Sequence, residues 1–70
     1  MNADEWLNAF ARELGVDAPD EETSGQLLDL AATAAHNSER IAAPLACYMT
    51  GLSGKPPEEA REAAERVKPD

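Results

Sequence analysis

Few side chains in this 70-residue chain could do chemistry, and most of them sit close together. The run His36, Asn37, Ser38, Glu39, Arg40 puts the chain's only imidazole, a hydroxyl and a guanidinium within five positions, just ahead of an apolar stretch that reads as a helix. A helix N-terminus carries unpaired N–H donors and roughly half a positive charge. His36, Ser38 and Arg40 could therefore hold a small anion such as a phosphate or carboxylate there, or meet a partner. The same residues also suit a plain joint between helices: His36 at a helix C-terminus, Asn37 and Ser38 in the turn and as cap, Arg40 paired with an acid. Cys47 is the single cysteine, with no base beside it in sequence to lower its pKa, and reads as a small core residue. One cysteine makes no intrachain disulfide, and with one histidine it falls short of a dedicated zinc set. Asp17, Asp20, Glu21 and Glu22 form a cluster of carboxylates, but without the alternating ligand positions and turn glycine of an EF-hand loop. They read as a solvated acidic loop. No catalytic constellation and no cofactor is implied, so the chain is not expected to be an enzyme.

Fourteen acidic residues against six basic ones give a net charge of −8, and the pI is about 4.4. Such a surface repels phosphate backbones and anionic lipid, which argues against nucleic acid and membrane partners. The acidic start, MNADEWLN, is unlike a secretory signal, and the longest uncharged apolar run is far short of the ~20 residues of a membrane span. A cytoplasmic protein is expected. Fifteen large apolar residues and fourteen alanines supply one small core, enough for a single all-helical domain over residues 1–70. Cores of this size contribute only ~3–5 kcal/mol, and with no disulfide or metal staple a protein partner or weak self-association is expected.

Four helices would have to position these groups. Trp6, Leu7, Phe10, Ala11 and Leu14 share one arc from about Ala3 to Leu14, with Asn2 as N-cap and Gly15 as a left-handed terminator. Trp6 and Phe10, one turn apart, are expected to anchor this helix on the core; the alternative is an exposed aromatic ridge that binds a partner. A second helix is expected from a Thr23 or Ser24 cap to about Asn37, with Leu27, Leu28, Leu30, Ala31, Ala34 and Ala35 on its apolar arc and Gln26, Asp29, Thr33 and His36 opposite. The stretch Ile41–Leu52 has no charge, and Ile41, Leu45, Tyr48, Met49 and Leu52 share a face. It is expected to be the central, most buried helix, starting near 39–42 so that Pro44 lies in its first turn. Pro56 and Pro57 followed by Glu58 and Glu59 open a last helix, with Ala60, Ala63, Ala64 and Val67 on one side and the i,i+4 pairs Arg61 with Glu65 and Glu62 with Arg66. The predicted fold is all-α, a compact four-helix bundle with a central apolar helix.

Trp6-Leu7, Phe10, Leu14-Gly15, LLDLA at 27–31, AAH at 34–36, Arg40, AAPL at 42–45 and Gly51 together resemble a short uncharacterised all-helical domain of high-GC bacteria. The resemblance covers most of the chain through Gly54, with Ile41 standing where a proline is common. Such domains are often associated with molybdenum-cofactor nucleotidyltransferase-like proteins, so the resemblance implies an accessory or protein-interaction role beside such a partner. A second reading is a carrier-protein-like module with Ser38 as attachment site, although the triplet Asn37-Ser38-Glu39 departs from the Asp-Ser-Leu usual there.

Overall fold

The computed structural model describes residues 1–68, and its elements are four α-helices: α1 (Ala3–Leu14), α2 (Glu21–Asn37), α3 (Ala42–Ser53) and α4 (Pro57–Arg66). The protein is an all-α four-helix bundle. Local chemistry explains most boundaries. Asn2 and Glu5 form a reciprocal capping box, with Asn2 Oδ1 accepting from the Glu5 amide at 2.8 Å and Glu5 Oε1 accepting from the Asn2 amide at 3.1 Å. Gly15 ends α1 at φ 77°, a left-handed conformation that lets its own N–H and that of Val16 reach the Ala11 carbonyl. At α2 the expected boundary is corrected. Asp20 is the N-cap, accepting from the Thr23 amide at 2.8 Å, so Glu21 and Glu22 belong to the first helical turn rather than to a loop. Carboxylates there meet the positive end of the helix dipole.

Helix α3 begins at Ala42 with Pro44 in its first turn, where a missing N–H costs nothing, and stops at Gly54 with φ 71°. Pro57 and the acids Glu58 and Glu59 open α4. Of the two ion pairs expected on α4, Arg61 to Glu65 forms at 3.0 Å, and Lys55 to Glu59 at 3.6 Å adds a second across the helix start.

The helix at the centre is α2, not α3. Helices α3 and α4 both pack against α2, and the buried residue of α2 is Leu30. A wide arc of α2 is covered to some degree, including Leu27, Ala31, Ala34 and Ala35, together with Gln26 and Thr33, which were expected to face away. Leu28, placed on the apolar arc by sequence, points out at 70% exposure. The expectation that Ile41–Leu52 is the most buried segment is also overturned. Helix α3 sets its small residues Ala42, Ala43, Ala46, Cys47 and Thr50 toward the bundle, while Ile41, Leu45, Tyr48 and Leu52 lie outward at 60–70% exposure and Met49, 66% exposed, borders the space between α2, α3 and α4. Small side chains let the α3 and α2 axes approach closely, and the Thr50 hydroxyl on that inner side donates to the Ala46 carbonyl at 2.9 Å. With no polar stripe on α3, its sequence leaves either side free to face inward.

Helix α1 is the least integrated element. It makes no packing comparable to that of α3 or α4 on α2. Its Asp4, Leu7 and Asn8 share a crevice with Ala18, Pro19, Glu21 and Ser24, and of its side chains Ala11 is buried. The extents are 39 × 24 × 18 Å and the radius of gyration is 12.7 Å, against about 11 Å for a tightly packed chain of this length.

Candidate functional site

The joint between α2 and α3 is built as a turn. Ser38 follows the last residue of α2, and its Oγ donates to the Ala34 carbonyl at 2.6 Å, closing the end of that helix. The next residues wind tightly: the Ala42 amide donates to the Glu39 carbonyl at 2.9 Å and the Ala43 amide to the Arg40 carbonyl at 3.1 Å. Pro44 has no N–H to offer. The donors that an anion would use at a helix N-terminus are thus engaged or missing at the first three positions of α3. His36, Ser38 and Arg40 are all exposed, and among the described residues no hydrogen bond or ion pair joins any two of them. The N-cap of α3 is Ile41, whose side chain makes no capping bond, so neither Asn37 nor Ser38 caps that helix, although Ser38 does belong to the turn. Ser38 also sits four residues before α3 opens, with its hydroxyl committed to α2.

Cys47 is partly covered on the inner side of α3. Among the described residues no group of three or more His, Cys, Asp or Glu side chains is arranged to hold a metal ion, and no helix is long and apolar enough to cross a membrane. The Asp20 carboxyl has its pKa held below the usual 3.8 by the hydrogen bonds from Thr23. It works as a cap.

The aromatic pair is better placed for recognition. Trp6 and Phe10 pack on one another with ring centroids 5.0 Å apart and planes tilted by 31°. They are 52% and 44% exposed, and with Ala9, Arg12 and Glu13 they line a shallow hollow. The pair is thus about half exposed rather than buried as the expected anchor on the core. The rim of the hollow carries Arg12 and Glu13, so an apolar centre is flanked by both signs of charge. A family model described as a domain of unknown function (DUF6457) matches residues 1–69.

The chain belongs to the DUF6457 family. No curated protein and no solved structure matches it. In this DUF6457 domain the groove between α2, α3 and α4 was not legible beforehand. It is a cleft of about 410 Å3 lined chiefly by Leu30, Ala34, Ala46, Met49, Ala60 and Ala64. The recurrent alanines of α2 and α4 were its signal, since small residues that bring helices together also leave space where three of them meet. Ser38, Thr50, Ser53 and Lys55 stand at its margin, where the three hydroxyls donate to the backbone carbonyls of Ala34, Ala46 and Thr50 and Lys55 pairs with Glu59. The DUF6457 domain thus presents apolar surface in quantity, with its few reactive groups dispersed or engaged in caps.

Proposed function

We propose that this DUF6457 domain is a small acidic, cytoplasmic interaction module without catalysis of its own, docking a protein partner on the Trp6–Phe10 ridge of α1. The observation that carries this reading is the exposure of a packed aromatic pair on a helix that also carries Asp4, Glu5, Arg12 and Glu13. Aromatic side chains bring large contact area at low entropic cost and dominate binding hot spots. Leaving them in water has no folding benefit. The partner proposed is a molybdenum-cofactor nucleotidyltransferase-like protein, on the resemblance carried by Trp6, the AAH run, Arg40 and the APL spacing.

The test is direct because Trp6 is the only tryptophan. Titration with such a purified nucleotidyltransferase-like protein is expected to shift Trp6 emission to the blue as the ring leaves water. Phe10→Ala should weaken binding by about 2 kcal/mol, the scale of a hot-spot truncation. Unchanged Trp6 emission at saturating partner would overturn the ridge as the contact, and absence of binding by calorimetry would overturn the choice of partner.

A further inference from the structure

We infer that the outward face of α3 is the interface of a homodimer, in which Ile41, Leu45, Tyr48 and Leu52 pack against the same face of a second copy. This concerns a different surface from the α1 ridge and stands independently of it. Three observations carry it. The first is the inversion of α3, whose small residues face its own bundle while Leu45, Tyr48 and Leu52, with Ile41 at its N-cap, point to solvent at 60–70% exposure. A helix selected only for packing within its own chain would be turned the other way.

The second is spacing. Ile41, Leu45, Tyr48 and Leu52 follow one another at intervals of four, three and four, the two-per-heptad seam by which one helix packs on another. Such a seam is self-complementary, as a two-fold interface requires. The whole of Ala42–Ser53 has no charged residue. Two chains of net charge −8 can therefore meet along α3 without burying like charges against each other.

The third is area. A monomer of 7.5 kDa is expected to expose roughly 4,200 Å2, whereas this chain exposes 5619 Å2. The excess, on the order of 1,400 Å2 over the whole molecule, leaves room for an interface of the standard ~800 Å2 per partner, and Ile41, Leu45, Tyr48 and Leu52 give the α3 face a share of it. Thirteen of the fifteen large apolar residues contribute to it.

Sedimentation equilibrium from micromolar to millimolar chain is expected to give twice the 7.5 kDa mass, with association strengthened by salt as the repulsion between acidic copies is screened. Leu45→Glu or Tyr48→Glu would bury an unpaired charge and should weaken association by roughly a hundredfold or more. Leu28→Glu, at a leucine of α2 that is 70% exposed, should leave it unchanged. Should the α3 variants fail to fold, the wild-type chain still decides the matter. Its melting temperature is expected to rise with chain concentration, and isotope-filtered NOEs between labelled and unlabelled copies should connect the Tyr48 ring to Leu45 or Leu52 methyls. A strict monomer across the range would overturn the inference and leave α3 to an unlike partner. A dimer whose intermolecular NOEs come from Trp6 and Phe10 instead would overturn it equally, while leaving the α1 ridge as a contact.

Discussion

Asp20 shows how much one carboxylate can decide in a chain full of them. Five residues in a row, Asp20-Glu21-Glu22-Thr23-Ser24, include three good N-cap types, and the sequence alone favoured the later ones. Structure selects Asp20 because a cap there places Glu21 and Glu22 in the first turn, where the dipole favours them. Its pKa is lowered by the Thr23 hydrogen bonds. A group with a depressed folded pKa contributes stability that is fully present above its unfolded value of about 3.9 and is lost as pH falls through the lower folded value. Asp20→Asn keeps a capping oxygen and removes the titration, so its melting temperature is expected to approach that of wild type as pH drops below ~4 and to lie below it near neutrality. Equal gaps at pH 7 and pH 2 in thermal melts would contradict the assignment. Ser38 allows a second test at this scale. With its Oγ bonded to the Ala34 carbonyl, intact mass is expected to stay unchanged after incubation with coenzyme A and a broad phosphopantetheinyl transferase. A gain of one phosphopantetheine would instead establish the carrier reading.

At the level of elements, helix existence was legible and helix orientation was not. Asn2 marks an end by its capping side chain and Gly15, Pro44, Gly54 and Pro57 by their backbone chemistry, and each sits where its chemistry predicts. Which side of a helix turns inward depends on neighbours. Helix α1 has a clear apolar arc, yet its aromatic pair faces solvent, and α3 is apolar on nearly all sides, so periodicity could not orient it. The joint at 36–40 divides in the same way: its residue types announced a turn, while the Ser38 to Ala34 bond and the tight winding through Ala43 emerge only in three dimensions. The consequence for mutations is specific. Leu30→Ala removes a buried side chain at the hub and should cost about 2–5 kcal/mol in denaturant unfolding. Leu28→Ala, two residues earlier on the same helix, should stay within about 0.5 kcal/mol. Leu45→Ala, which the sequence ranked with core changes, is expected to resemble Leu28→Ala when unfolding is measured at chain concentrations too low for association. A large loss for Leu45→Ala under those conditions would mean that α3 turns its other face inward.

For the whole molecule, the balance of size and surface matters more than any single contact. A 70-residue chain buries a smaller share of its surface than larger domains do, and this one has neither a disulfide nor a metal cluster among its described residues to compensate. Its alanines bring helices together without filling the space between them, which leaves the cleft of about 410 Å3 beside Leu30. Filling part of it is a way to raise stability. Ala64→Val, on the partly covered side of α4 that lines the cleft, is expected to be neutral or stabilising by up to about 1 kcal/mol in thermal or denaturant melts. A loss above that figure would mean that the cleft closes in solution.

The light attachment of α1 has a kinetic counterpart. Both ends of this helix are secured by its own residues, Asn2 with Glu5 at the start and Gly15 at the finish, yet little of it is packed against α2. Such an element can open without taking the rest of the bundle with it, because its release exposes few side chains that were not already wet. Amide hydrogens of residues 6–14 should then exchange with deuterium ahead of those in the middle of α2, around Leu30, whose release requires global unfolding.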